Sequence, residues 1–398
     1  MWNYIPFEQA VEICDNLRKP INSKERAARI EGLPTEALYP YYGATGQVGY
    51  INNYLTDGEY VLLGEDGAPF LNPLAKKAYM ISGKSWVNNH AHILRSKRDN
   101  KFLCYYLNYF NYKDYVSGTT RLKLTQAQMK QIKIPDISIE EQHRIVTRIE
   151  ELFSELDKGV ETLQTIKQQL AVYRQAVLKE AFEGILTKSP VEKFESLGNL
   201  IEKPRYGTSK KCDYEFEEHS TPVYRIPNIC YRLGTINKED IKFAKFTAAE
   251  LHDLRLQNGD ILIIRSNGSV SLVGRAAIVR ESDIDGTFAG YLMRLRIKDS
   301  AKINPRYLLH YLSSHNARMY IENKAKSTSG VNNINSSEIC GLNIPIVEYI
   351  EQLRIVDAIE SRLSVCDSIE QTVDTALAQA DAMRQSILKK AFEGGFSE

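Results

Sequence analysis

The chain has 398 residues, 43% hydrophobic and 25% charged, with a net charge of +1. This is an ordinary makeup for a soluble globular protein of two to three domains, and no apolar run reaches the roughly 18 residues a membrane helix needs. The N-terminus, Met1-Trp2-Asn3-Tyr4-Ile5-Pro6, lacks the basic-then-apolar pattern of a secretion signal. Six cysteines (Cys14, Cys104, Cys212, Cys230, Cys340 and Cys366) form no C-x-x-C pair and read as reduced, mostly buried thiols of a cytoplasmic protein. Charge is unevenly spread. Residues 1–134 hold 17 Lys and Arg against 12 Asp and Glu, residues 191–343 hold 22 against 18, and the remainder carries a net −8. A polyanion needs only a local basic footprint, so nucleic acid stays open as a partner.

Residues 1–134 read as mixed α/β. A short helix is expected from Phe7 to Leu17, then Lys19-Pro20 and a charged stretch. Glycines force turns between aromatic β-formers in Tyr41-Tyr42-Gly43-Ala44-Thr45-Gly46-Gln47. Strands follow at Gly58–Leu63, ending at Glu65-Asp66-Gly67, and around His90–Leu94, with an apolar helix at Phe102–Phe110. The region closes on Ser117-Gly118-Thr119-Thr120-Arg121-Leu122-Lys123-Leu124.

Apolar residues then recur at Ile145, Ile149, Leu152, Leu156, Leu163, Ile166, Leu170, Tyr173 and Val177. Their 3.5-residue period is that of a coiled-coil seam, missing one position at Gly159. Residues 191–343 form a second α/β region: a basic loop (Arg205-Tyr206-Gly207-Thr208-Ser209-Lys210-Lys211), strands near Val223–Ile229 and Gly259–Ile264, and a helix at Pro305–Leu312. The second seam runs through Ile355, Ile359, Cys366, Ile369, Val373, Ala376, Ala380, Met383 and Ile387, with Arg362 out of place.

Residues 135–184 and 345–394 are copies at a constant offset of 210, identical at 21 of 50 positions. Internal repeats outrank other sequence signals. The two globular regions are more distant copies. Lys19-Pro20 matches Lys203-Pro204, the Gly58 strand matches the Gly259 strand at an offset of 201, and Thr119 matches Ser329. Compact domains keep their chain ends close together. The second region is entered from one helix and left into the other, so the helices are expected antiparallel, with a globular region at each end of a rod about 63 Å long.

Globular–helix–globular–helix order, the Pro…Glu-Gln-x-Arg-Ile-Val helix starts at Pro135 and Pro345, and the Ala-Phe-Glu-Gly exits at Ala181 and Ala391 resemble the specificity subunit of type I restriction–modification enzymes. Tyr41-Tyr42-Gly43-Ala44-Thr45-Gly46 is similar to one class of its target-recognition domains. The resemblance covers essentially the whole chain. It implies an α+β or α/β fold of two pseudo-two-fold-related target-recognition domains (1–134 and 188–343), separated by two long antiparallel spacer helices (135–187 and 344–398). Each domain would read one half of a split double-stranded DNA target. The helices would set the unread gap and dock two adenine-methylating modification subunits. S-adenosylmethionine would sit in those subunits, ATP and Mg2+ in any restriction subunits that join, and no cofactor in this chain.

Motifs for catalysis are missing. The Asn-Pro pairs, Asn72-Pro73 and Asn304-Pro305, lack the second proline and aromatic residue of an adenine methyltransferase. Gly83-Lys84-Ser85 has Ala78 where a phosphate loop needs glycine, and Glu322-Asn323-Lys324 has no partner aspartate of a nuclease. His90-x-His92 has no cysteine or carboxylate cluster to complete a metal site and reads as two polar or base-facing histidines.

Base edges call for Arg, Asn and Gln, and phosphates for Lys, Arg, Ser and Thr. Candidate DNA contacts in the first region are Tyr41, Tyr42, Thr45, Gln47, Lys84, Asn88, Asn89, Thr119, Thr120, Arg121 and Lys123. Those in the second are Tyr206, Thr208, Ser209, Lys210, Lys211, Arg225, Asn228, Arg265, Ser266, Asn267, Ser269, Thr328, Asn332 and Asn333. The competing reading is a coiled-coil adaptor whose two heads bind proteins. It accounts for the helices but not for these clustered polar loops.

Overall fold

The structure is a computed structural model that describes residues 2–188, 190–191, 193–325 and 330–396. It falls into two compact units: Met1–Thr165 with Thr372–Glu398, and Ile166–Gln371. Each contains one globular region, the first part of the long helix that follows it, and the last part of the other long helix. The helices, Ile139–Phe182 and Tyr349–Phe392, are 44 residues each and keep the 210 offset at both ends.

In the first unit a four-stranded antiparallel sheet runs Val11–Ile13, Ala91–Ser96, Tyr60–Gly64, Ala78–Ile81. A three-stranded sheet places Tyr39–Gly43 between Gly46–Ile51 (antiparallel) and Trp86–Val87 (parallel). The second unit repeats both sheets. Its four strands are Arg205–Tyr206, Leu292–Leu295, Ile261–Ile264 and Ala276–Ile278. Its three are Lys242–Lys245, Ser220–Tyr224 and Thr287–Phe288, with the same antiparallel and parallel pairings. The largest insertion of the second copy lies in the three-stranded sheet, and smaller ones follow the central strand, where the offset grows from 200 to 210. Where Ala44-Thr45 turns a tight hairpin, residues 225–241 make an excursion holding the Ile229–Cys230 and Thr235–Ile236 ladder.

The faces correct the sequence register of the central strands. Val61 and Leu63 join the core shared with the helices, as do Ile261 and Ile263, whereas Leu62 and Leu262 face the other way. Side chains alternate faces, so the true offset is 200 rather than 201. Backbone bonds agree: Leu124 N donates to Glu65 O at 2.7 Å, and Ile334 N to Arg265 O at 2.9 Å. The expected helix Phe7–Leu17 is also corrected. Only Phe7–Ala10 is α-helical. Val11–Ile13 pairs with Ala91–Ser96, and Asp15–Leu17 is a 3₁₀ turn.

The repeated motifs have a packing reason. Phe392 lies against Phe102, Tyr106 and Tyr109, with ring centroids 5.3–5.4 Å away. Phe182 lies against Tyr307 and Tyr311 at 5.2 and 5.1 Å. Each helix exit thus plugs an aromatic notch in the unit whose own helix begins there, which makes the two helix segments of each unit antiparallel. Ile145, Val146 and Ile149 share a core with Leu388 and Ala391, as Ile355, Val356 and Ile359 do with Leu178 and Ala181. Gln352 is fully buried and ties the helix start down: its Oε1 accepts from Asn304 N, and its Nε2 donates to Lys302 O and Val347 O.

The seam is less apolar than its heptads suggest. Leu170, Val177, Cys366, Val373 and Ala380 are buried, and Leu152, Leu156, Leu163, Ile166, Ala376 and Ile387 half-buried. Tyr173, Ile369 and Met383 are instead exposed (47%, 40% and 52%). Charged residues hold the segments together at neighbouring positions. Arg174 reaches Asp367 at 2.7 Å and Glu370 at 3.1 Å, and Arg384 pairs with Asp157, the same pair shifted by 210. Arg362 points outward, and Leu363 packs against the core in its stead.

Candidate nucleic-acid interface

In the first unit four separated stretches meet at a cleft of ≈ 660 Å³. Its lining includes Thr45 from the hairpin, Asp66 and Gly67 after the central strand, Asn88 and His90 before the next, and Thr120 and Arg121 from the closing loop. That loop is itself a small hairpin: Ser117 and Lys123 exchange backbone bonds of 3.0 and 2.8 Å. Gly118 follows the Ser117 pairing with φ +99°, where a Cβ would lie 2.4 Å from Arg121 O, so only glycine fits. Gly67 N donates to Leu122 O, Arg121 bonds Asp66 at 2.7 Å, and Lys123 lies 3.4 Å from Glu65. Thr119, Thr120, Arg121 and Lys123 are exposed on this scaffold, as are Thr45, Gln47 and Asn89. Tyr42 is half-buried against Tyr79, and burial pushes its hydroxyl pKa up.

Beneath the loop lies a polar network. His92 is fully buried, with Nδ1 2.8 Å from Asp15 and Nε2 3.0 Å from Leu124 O. Burial opposes ionisation of Asp15, but His92, the Ile93 amide and Arg18 hold its carboxyl below the usual range. Arg18 also bonds Glu65.

The second unit builds its cluster from the counterparts of the central-strand exit, the Asn88–His90 stretch and the closing loop, and adds Tyr206 and Thr208. Arg265 lies over the Tyr206 ring at 4.4 Å and donates to Gly290 O. Ser266 and Asn267 pair with Asn333 and Asn332 in a two-residue ladder. Asn332 Nδ2 donates to Gly268 O, and Asn267 Oδ1 accepts from Ser269 N. Thr208 is held beside this cluster by bonds to Phe288 O and from Gly290 N. Gly207 makes that approach possible, since a Cβ there would lie 2.2 Å from Phe288 O.

Three other candidates, Tyr41, Asn228 and Arg225, are structural and are corrected accordingly. Tyr41 is buried (4%) under Arg26, because its strand lies between two others. Asn228 is 1% exposed and closes the 225–240 turn through Arg225 N, Asn237 O and Asp240 O. Arg225 pairs with Asp240 in the same turn. Lys210 bonds Glu250, and with the Thr247 amide holds that carboxyl down to about 2. Lys84 is exposed but lies over Tyr54, outside the cleft lining. Ser209 and Lys211 are exposed, and Thr328 lies outside the described residues. Sequence reasoning missed Asp15, Arg18 and Glu65, which touch the loop only across the fold. It also missed the helix Ser23–Ile30, whose signal was present in Asn22 and Glu25.

A second feature also occurs once per unit. A groove beside the helix segments is lined in the first unit by Glu150, Ser154, Asp157, Arg384, Gln385 and Leu388 (≈ 580 Å³). The second unit's groove (≈ 1020 Å³) carries the same residue types at Glu360, Ser364, Asp367, Arg174, Gln175 and Leu178. All six pairs are related by 210. No helix among the described residues is long and apolar enough to cross a membrane.

Comparison with known proteins bears on both features. The family described as Type I restriction modification DNA specificity domain matches residues 24–170 and again 190–379. The chain is 32% identical over 286 residues to the StySPI type I restriction enzyme specificity subunit of Salmonella potsdam, covering 70% of this chain and 60% of that one. It is 30% identical over 287 residues to the EcoKI specificity subunit of Escherichia coli (strain K12), covering 70% and 61%. These matches span about three fifths of the relatives' length. Among solved structures, a chain from a study of type I R-M complex assembly and conformational transition superposes with a TM-score of 0.71 at 17% identity, covering 98% of this chain and 97% of that one. The HsdS subunit from Thermoanaerobacter tengcongensis gives 0.51 at 16% identity, covering 99% and 97%. At such identities the likeness is one of fold. With its family matched once over each globular region, the chain belongs to the type I restriction–modification DNA specificity family.

Proposed function

We propose that this chain is the non-catalytic sequence-reading subunit of a type I restriction–modification complex, and that each unit reads one half of a split DNA target. The observation that carries this is the equivalence of the two loop clusters. Both lie just past the central strand, at Glu65–Gly67 and Arg265–Gly268, and both are bonded to the segment before Leu124 or Ile334. The scaffold is repeated while the exposed side chains differ, as expected of two readers of different sequences. Thr45, Thr119, Thr120, Arg121 and Lys123 are the proposed contacts in one, and Thr208, Arg265, Ser266, Asn267, Ser269, Asn332 and Asn333 in the other.

The twin grooves are the proposed seats of two modification subunits, because a repeated surface suits a partner present in two copies. Those subunits carry S-adenosylmethionine. Restriction subunits using ATP and Mg2+ join where they are encoded, and the assembly works on DNA in the cytoplasm. Each 44-residue helix, about 66 Å at 1.5 Å per residue, sets the unread gap.

Methylome sequencing of cells carrying this chain with its modification subunit is the test. A single split consensus with methylated adenine in each half is expected. Methylation without a consensus would overturn the reading.

A further inference from the structure

We propose that His92 positions the reading loop of the first unit: though itself buried away from DNA, it sets which bases Thr119–Lys123 accept. The proposal rests on the reading of that loop as a DNA contact.

The loop hangs from Leu124. Its amide donates to Glu65 O at 2.7 Å, and its carbonyl accepts from His92 Nε2 at 3.0 Å. Acceptors face both ring nitrogens, since Nδ1 meets the Asp15 carboxylate at 2.8 Å. Asp15 is fixed in turn by the Ile93 amide at 2.9 Å, by Gln126 Nε2 at 3.1 Å and by Arg18 at 3.2 Å. Arg18 continues to Glu65, and Glu65 lies 3.4 Å from Lys123 on the loop itself. One buried imidazole therefore joins the strand Ala91–Ser96, the Asp15 turn and the base of the loop.

The second unit supplies the contrast. Its strand Leu292–Leu295 pairs with Ile263 through Met293, where the first unit pairs Leu63 with His92. Met293 is an apolar core residue and offers the Ile334 carbonyl no donor. There the cluster is braced from the solvent side, by Arg265 on Tyr206 and by the Asn332 amide. An internal polar clasp in one reader and an external one in the other predicts that the same substitution acts on one half-site only. A donor removed beneath the loop leaves the Leu124 carbonyl without its His92 partner and takes one of four donors from Asp15, and a buried orphan of that kind forces local rearrangement.

The experiment uses the full chain assembled with its modification subunits. His92→Met installs the second unit's residue. Base preference at one or more positions of the first half-site should fall by roughly tenfold or more, with the second half-site unchanged. His92→Gln, whose amide can still donate to Leu124 O, should lie between. Amide exchange across residues 117–124 should quicken about tenfold in His92→Met, with no change in the strand Tyr60–Gly64. Should His92→Met fail to accumulate, His92→Gln carries the same comparison. Strict preference at both half-sites in a folded variant overturns the proposal, as does equal relaxation of both. A wild-type complex with no split target would sink the functional reading instead. The exchange measurement would still decide whether His92 holds the loop.

Discussion

The two units share a skeleton and differ in what they hang on it. Phe392 in its notch of Phe102, Tyr106 and Tyr109 matches Phe182 against Tyr307 and Tyr311, and Arg384–Asp157 matches Arg174–Asp367. The loops beyond the central strands share hydrogen-bond topology but almost no side chains. What the helices must fit has stayed fixed, and what faces outward has changed. That division is the pattern expected of interchangeable readers on a common frame.

Breaking the shared part should hurt both units alike. Phe392→Ala and Phe182→Ala each empty an aromatic notch, and each should cost about 3–5 kcal/mol, measured as the loss of one calorimetric transition's stability. A large loss for only one of them would mean the notches are not equivalent. Breaking the divergent part should separate the units. Arg265→Ala should relax the second half-site by about 1–3 kcal/mol and Arg121→Ala the first, each leaving the other half strict. Methylation motifs of the two variants would show this.

Smaller effects come from the helix ion pairs. Arg174 is shared by Asp367 and Glu370, and Glu370 also pairs with Arg232 at 2.6 Å. Arg384 meets Asp157 in a more exposed setting. Arg174→Ala should therefore cost about 1 kcal/mol and Arg384→Ala less, by denaturant titration. The slightest effect is that of acid. The Arg232 hydrogen bond holds the Glu370 carboxyl below its ordinary value, and His310 does so for Glu360. A carboxyl lowered in the folded state contributes stability that is fully present above the unfolded value of about 4.3 and lost as pH falls through the folded one. Glu370→Gln should flatten the acid side of the second unit's stability profile. An unchanged profile would show that the pair contributes nothing.

Much of this frame is legible in the sequence because it is local and repeated. The helix Pro305–Leu312 agrees with the sequence reading at both ends, with Asn304 capping it. The two long helices follow from their periodicity and constant offset. What escapes depends on contacts across the chain. Val11–Ile13 leaves the helix expected there because Ala91–Ser96 offers it a ladder. Tyr41 and Asn228 belong to residue types that suit DNA but are used to build turns and sheets. The central strands match at an offset of 200 rather than the 201 read from sequence, which burial and backbone bonds reveal. His92 looks like half of a metal pair in sequence, yet it sits between groups 77 and 32 residues away.

In the proposed function the length of the two helices sets the unread gap between the half-sites. The most direct measurement inserts one heptad between Thr165 and Ile166 and another between Thr375 and Ala376, matched at the 210 offset, and sequences the resulting methylome. Seven residues add about 10.5 Å of helix, close to three base pairs. The account predicts the same two half-sites with a gap longer by about that many base pairs. An unchanged gap, or altered half-sites in a folded and active complex, would contradict it.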